Sequence, residues 1–441
     1  MDALLLIGVL GGTFFLFSLL APRGWRFGVT LWSSVFQVYT VPVMGIYPPL
    51  TLLTGLALWP ELVRRAEVLR WPPLRIFILL LGVHALSLAW SEDKVLGIRN
   101  IAYLLPFLTV FAAAYGLAQR RAGWVNSAIA VFGLAALIEA ALVVLFRIAP
   151  DVEDAFLHSS IARWFITPNA LDVLFDVARN NVLGPLKSGG FFTNANVASG
   201  FLGMTAFVCW GLHLAYRRRG LGAIAALLWL AIFFTGSKAG LMLALLLLFA
   251  GYLVWHGSNG PLTISRVTTL FGSLVAAVLV ALGLSQLAQS DFAQESGETL
   301  DVRGLIWTHA LHEFLAHPLL GQGFGGWETS FTRYAAKLGI SESFPPHNTL
   351  IFLWSQSGIL AALIGLLFMY AVLAFGVRTL RSKSRELQAL GLGTTLAFLW
   401  AFIQGMGENW GIVGDLHMQP VLASALGLTY ARYRLYIQAS G

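Results

Sequence analysis

Charge is what this sequence has least of: Asp, Glu, Lys and Arg supply 11% of its 441 residues, against roughly a quarter in a soluble domain. With 57% hydrophobic residues and a mean hydropathy of +0.75, the chain cannot furnish a water-facing surface, which excludes a soluble globule. Cysteine is nearly absent. Cys209 stands alone in an apolar run, so no intrachain disulfide can form and cysteine usage is silent on compartment. Met1-Asp2 precedes the first apolar run without Lys or Arg, so the basic leader of a cleavable signal peptide is missing and the first span is expected to remain. There is no internal repeat of the kind that marks many secondary transporters. No nucleotide-binding motif and no carboxylate motif of the D-x-D type occurs, and neither metal nor other cofactor is expected.

What is present is a succession of apolar runs. A span needs about 17 to 25 such residues, and candidates cover 3 to 21, 27 to 43, 46 to 60, 74 to 90, 100 to 118, 124 to 146, 194 to 215, 221 to 235, 239 to 255, 267 to 287, 348 to 377, 387 to 407 and 416 to 431. Prolines 42, 48 and 49 predict that the second and third form a short or broken pair. The expectation is an all-α polytopic membrane protein of about 12 transmembrane helices (12–13), a single integral membrane domain over residues 1–441.

The cations orient it. Arg23 and Arg26, then Arg64, Arg65, Arg70 and Arg75, then Arg120 and Arg121, Arg217 to Arg219, Arg266, and Arg378, Arg381, Lys383 and Arg385 fall in alternate loops, and Arg432 and Arg434 join them. Cytoplasmic loops retain Lys and Arg. This face accounts for the net charge of +7 without nucleic acid as a partner; the partner implied is the lipid bilayer. The opposite face carries two long segments, 147–192 and 288–346, where function is expected.

Within 288–346, Asp301 is a candidate helix cap with Arg303 in the first turn, and Ile306, Ala310 and Phe314 share one face before His317-Pro318. A second amphipathic stripe holds Trp327, Phe331, Ala335 and Leu338. Between them, glycines 321, 323, 325 and 326 read as a hinge, since no strand precedes them to make a phosphate-binding fingerprint. His309, His312 and His317 are spaced by three and five, which does not make a metal site.

Other polar residues sit at span mouths. Lys238, in T-G-S-K-A-G at 235 to 240, lies on a tight turn beside helix ends whose N–H groups bind anions, although snorkelling to lipid phosphate is an equal reading. Pro345 and Pro346 introduce His347 and Asn348 at the first turn of a span. An imidazole there suits proton transfer at neutral pH, set against a hydrogen-bonded interfacial histidine, and Asn348 could fix its orientation. Asn194 and Asn196 bind sugar hydroxyls or cap a helix; Lys187 can reach a phosphate. Glu408 and Asp415 flank a turn, with sugar binding and interfacial solvation both open. Glu139 is nearly alone inside a span and calls for a polar partner or a proton.

The order G-G-F-F-T-N-A-N at 189 to 196, T-G-S-K-A-G, R-G-L-I-W with H-P-L-L-G-Q-G-F-G at 317 to 325, and P-H-N-T-L with Gly358 downstream resembles the O-antigen ligase and polymerase superfamily of bacterial inner-membrane proteins over roughly residues 185 to 360. The resemblance implies a GT-C-like fold, a long periplasmic helical loop, and transfer of glycan from an undecaprenyl-diphosphate-linked O-antigen donor to a lipid A-core acceptor, without metal, on the periplasmic face. It implies that Lys238, Arg303 and His347 are the essential residues; Lys187, Asn194, Asn196, Asn348 and Glu408, from their positions, are the candidates for substrate binding. Lysine at 238 stands where the family more usually has arginine, which keeps the charge and loses the bidentate fork. A polysaccharide polymerase and a protein O-oligosaccharyltransferase remain open within that resemblance. A lipid-linked oligosaccharide flippase, from a different class, should place ionisable groups at the midplane of several spans.

Overall fold

The computed structural model describes residues 16–36, 48–166, 171, 174, 187–257, 304–338, 345–408 and 410–440. Among them there is no β-strand, and helix accounts for most of the chain. The main helices are α1 (Arg23–Val35), α2 (Pro72–Ser87), α3 (Lys94–Ile148), α4 (Ala195–Tyr216), α5 (Arg219–Thr235), α6 (Lys238–Gly257), α7 (304–316), α8 (Gly326–Lys337), α9 (Thr349–Leu380), α10 (Arg385–Gly405) and α11 (Gln419–Ser440). Their starts follow local chemistry. Pro72 and Pro73 open α2, where their missing N–H groups cost nothing, and Asp93, Asn194, Asn348 and Ser384 accept backbone N–H groups at the starts of α3, α4, α9 and α10.

Six stretches among the described residues are long and apolar enough to cross a membrane: Lys94–Arg120, Val125–Ile148, Ala195–Tyr216, Lys238–Gly257, Thr349–Leu380 and Arg385–Gly405. The chain is a multi-pass membrane protein. Helices α2 and α5 are apolar but shorter, in place of the spans read at 74 to 90 and 221 to 235. The region 46 to 60 is broken into Leu50–Leu56 and Trp59–Arg64. The span at 267 to 287 and most of that at 3 to 21 lie outside the described residues.

The two spans within α3 run antiparallel. A straight rod would part Leu104 from Glu139 by about 50 Å at 1.5 Å per residue. Yet Leu104 lies 3.7 Å from where a Cβ on Gly411 would stand, Glu139 bonds the backbone of Phe191, and the adjacent Phe192 ring is 5.7 Å from that of His417. Gly116, further along the first span, instead lies against Arg65. The bundle therefore has an arginine-bearing end and an opposite end where Glu139, Phe192 and Gly411 gather.

Close packing comes from small residues, as lipid offers no hydrophobic drive between helices. Where α4 crosses α10, a Cβ on Gly211 would stand 2.9 Å from Gly393 Cα. The aromatic rings of Trp71, Phe111, Tyr115 and Tyr430 stack between α2, α3 and α11 at the arginine-bearing end, and Phe375 of α9 meets Trp71 and Tyr430 edge-on. Arg26 does not lie in a loop: it is a buried residue of α1 whose guanidinium meets Glu61 at 3.2 Å, with Arg23 and Arg64 at 3.2 and 2.7 Å from the same carboxylate oxygen. Glu61, nearly fully buried, is satisfied by charge-assisted bonds that one arginine alone would not supply.

Candidate active site

Four chain segments converge at the end of the bundle away from Arg65. The first is Gly189–Asn196. Glu139 reaches it from α3 and accepts the Phe191 N–H at 3.0 Å. Gly190 has φ +56°, and a Cβ there would stand 2.2 Å from Glu139 Oε1, so the second glycine of G-G-F-F serves both a left-handed turn and a close approach to a carboxylate. Glu139 is thus a clasp on this turn. Gly190→Ala is expected to force the carboxylate aside at a cost of roughly 1–3 kcal/mol, read as a lower thermal midpoint in detergent; an unchanged midpoint would contradict the clasp.

The second segment is T-G-S-K-A-G. Gly236, at φ 73°, ends α5, and α6 begins at Lys238, which is exposed. The Ser188 N–H donates to Thr235 O at 3.0 Å and brings Lys187 alongside this turn. Ser237 Oγ accepts the Gly240 N–H at 3.1 Å and donates to Asn196 Oδ1 at 2.7 Å.

The third and fourth segments are His347–Thr349 and Gln404–Trp410. His347 adopts φ 47°, a left-handed conformation uncommon outside glycine and met several-fold more often at Asn, Asp and His. It is half-buried and leads into Asn348, whose Oδ1 accepts the Leu350 and Ile351 N–H groups at 2.9 and 3.1 Å. Thr193 and Asn194 repeat the device: Thr193 has φ 48°, and Asn194 Oδ1 accepts the Asn196 and Val197 N–H groups at 2.9 and 3.2 Å. A left-handed residue followed by an asparagine cap thus opens both α4 and α9 and fixes where each chain turns into its helix. Backbone held in such a region marks sites where the surroundings dictate the conformation.

Hydrogen bonds join the segments. Asn196 Nδ2 donates to Glu408 Oε1 at 2.7 Å, and Glu408 is only 8% exposed. Asn348 Nδ2 donates to Met406 O at 3.0 Å, two residues from Glu408, while Thr349 Oγ1 bonds Gly405 O and Trp410 O. Gln404 Nε2 donates to Asn196 O at 2.9 Å, and its own oxygen accepts from Trp400 Nε1 at 2.5 Å. A continuous path therefore runs from Ser237, beside Lys238, through Asn196, Glu408 and Met406 to Asn348, beside His347.

The sequence-predicted residues divide accordingly. Lys187, Lys238, His347 and Glu408 are gathered at this end. The amide oxygens of Asn194, Asn196 and Asn348 are engaged by the protein, as caps for Asn194 and Asn348 and as the Ser237 acceptor for Asn196, so their first duty is to hold the site together. Arg303 lies outside the described residues. Asp415 caps the turn before α11, accepting the His417 and Met418 N–H groups at 3.0 and 2.9 Å, and burial raises its pKa against those bonds. Sequence reasoning passed over Ser237, Gln404 and Trp400. The i,i+4 spacing of the last two on a helix face was the available signal.

The glycine-rich segment between α7 and α8 is a pinned joint, not a hinge. Gln322 N donates to Ser355 O at 2.8 Å, Phe324 N to Ser87 Oγ at 3.2 Å and Gly325 N to Gln356 Oε1 at 2.6 Å, while Ser91 Oγ donates to Phe324 O at 2.8 Å. Helix α9 breaks opposite it at Ser357–Gly358, and a Cβ on Gly358 would stand 1.9 Å from Leu319 O. The glycines are there because the loop backbone lies directly on the α9 backbone. Ile306 and Ala310 of α7 pack on Trp327, Phe331 and Ala335 of α8, but Phe314 and Leu338, read into the same stripes, are 38% and 51% exposed.

Residues 223–366 match the family described as O-antigen ligase. The chain carries an O-antigen ligase family segment. It spans Lys238, Arg303, His347 and Asn348, while Lys187, Asn194, Asn196 and Glu408 lie beyond it; Asn196 is tied to it through Ser237, and Glu408 through Asn196. Comparison with curated proteins found no match.

Proposed function

We propose that this protein is an O-antigen ligase acting at the periplasmic face of the inner membrane, which transfers glycan from undecaprenyl diphosphate to lipid A-core oligosaccharide in lipopolysaccharide biosynthesis. The observation that carries the reading is the path from Ser237 to Asn348, which supports placing Lys238 and His347 at one polar site. The anomeric carbon of the donor parts from its phosphate oxygen as the acceptor hydroxyl attacks. His347 takes the hydroxyl proton. Lys238 and Arg303, with Lys187 nearby, neutralise the departing diphosphate, whose charge grows as the bond breaks. Glu139 speaks against transport, since the one carboxylate read as buried within a span is a clasp on the outer turn.

The test is reconstitution of the purified chain with lipid-linked O-antigen and lipid A-core. A new lipid A-core conjugate is the expected product. Elongated lipid-linked donor would make the protein a polymerase, a glycosylated acceptor protein would make it a protein O-oligosaccharyltransferase, and donor translocation without any new bond would make it a flippase.

A further inference from the structure

Between residues 16 and 75 the chain carries six arginines, at 23, 26, 64, 65, 70 and 75, against two carboxylates, Glu61 and Glu67. The structure distributes that charge unevenly. Arg26 and Glu61 are the buried pair, and the Arg26 guanidinium also donates to Ser18 O and, at 3.3 Å, to Ala57 O, so it is committed within the fold. Glu67 meets Arg65 at 3.6 Å. Arg23 and Arg64 then add two further positive charges to a carboxylate that Arg26 already balances.

Those two arginines are the accessible ones. Arg23 meets Glu61 through Nε and Arg64 through one terminal nitrogen, and 33% and 44% of their side chains stay accessible beside a carboxylate that is 4% accessible. Both bonds end on the same oxygen, Glu61 Oε1, so the two guanidinium groups are neighbours and one tetrahedral anion can reach both. The remaining N–H groups of an arginine fork suit phosphate oxygens in particular.

The neighbouring side chains indicate which phosphate. Trp25, 71% exposed, follows Arg23 by two residues and the exposed Leu20 precedes it by three, while Trp59 and Val63, one turn apart on the short helix Trp59–Arg64, are exposed beside Arg64. Indoles gather at headgroup depth in membrane proteins, which puts the arginines at the level of lipid phosphates. A soluble anion gains nothing from an apolar rim; a phospholipid brings acyl chains to it. We propose that Arg23 and Arg64 bind the phosphate of an anionic phospholipid, in the leaflet at the arginine-bearing end, with its acyl chains among the exposed side chains of Leu20, Trp25, Trp59 and Val63. Each basic residue at that depth adds to the affinity for anionic lipid. The site lies at the end of the bundle opposite Glu139 and is independent of the glycan-transfer reading.

The experiment strips the full chain of copurified lipid in detergent and titrates it, by native mass spectrometry, with phosphatidylglycerol and with phosphatidylcholine of the same acyl chains. The wild-type protein is expected to bind phosphatidylglycerol at least about tenfold more tightly, and the Arg23→Gln, Arg64→Gln double variant to lose that preference while phosphatidylcholine binding stays the same. Arg378→Gln with Arg381→Gln removes as much charge from two exposed residues at the end of α9, and is expected to leave the preference intact. A photoreactive phosphatidylglycerol locates the site in the wild-type protein without any substitution, with adducts expected within 16–26 and 59–64. Equal binding of the two lipids by the wild-type protein, equal losses in the two double variants, or adducts confined to other segments would each overturn the site. Displacement of phosphatidylglycerol by soluble glycerol phosphate at the same concentration would also overturn it, making the arginines a site for a soluble anion.

Discussion

His347→Ala is expected to slow glycan transfer by roughly 10²- to 10⁴-fold, the loss typical of a missing general base, while the protein folds and still binds lipid-linked donor. The expectation follows from geometry. His347 is held at φ 47° between Pro346 and the Asn348 cap, so its ring is aimed by backbone that the neighbouring segments fix. Helix α9 is anchored beside it by Asn348 and Thr349, through Met406, Gly405 and Trp410. A structural histidine would behave otherwise: yield and thermal stability would fall, and residual activity would track the folded fraction. A phosphate-binding histidine would be rescued by arginine. Transfer, donor binding and folding measured together on His347→Ala, His347→Gln and His347→Arg separate these roles, and activity recovered only in the arginine variant would overturn the base assignment.

The second large effect is expected at the cations. Lys238→Ala should lower transfer by about 10²- to 10³-fold, the scale of one lost electrostatic donor, and Arg303→Ala by at least as much. Lys238→Arg should retain part of the activity, because charge is kept while the donor geometry changes. Since the diphosphate is present before and after bond breaking, the alanine variants should weaken donor binding as well as turnover, unlike His347→Ala. Near-normal transfer by a folded Arg303→Ala protein would remove Arg303 from the donor site. Normal transfer by Lys238→Ala would return Lys238 to a lipid-facing role.

The places where helices begin were legible in the sequence because their signals are local. Pro345-Pro346 before His347-Asn348, the asparagines of T-N-A-N and the glycine of T-G-S-K name turns and caps whose chemistry lies within four residues. What joins those turns was not legible. Nothing local pairs Asn196 with Glu408, 212 residues away, or commits Ser237 to Asn196. The glycines at 321 to 326 show why composition misleads here: freedom to move and the need for close backbone contact select the same residue, and only the bonds to Ser87, Ser355 and Gln356 reveal contact. Phe314 and Leu338 have the right helical period, but a period does not say where the opposing surface ends. Arg26 was assigned to a loop because its partner, Glu61, comes from a different helix 35 residues on. Six spans appear among the described residues; of the other apolar runs, 267 to 287 and most of 3 to 21 lie outside those residues, 46 to 60 is broken into two short helices, and Pro72–Ser87 and Arg219–Thr235 are apolar but shorter.

The central claim is that the cluster at the span ends breaks the bond between glycan and lipid diphosphate with protein side chains alone. Single-turnover reaction of the purified protein in nanodiscs, with excess chelator and no nucleotide, tests it most directly by following conjugate and released undecaprenyl diphosphate in one sample. The account predicts that both appear at the same rate, one released diphosphate lipid for each conjugate, and that both slow together in His347→Ala. Conjugate formation that stops in chelator and returns with added metal ion, or conjugate without release of the diphosphate lipid, would contradict it.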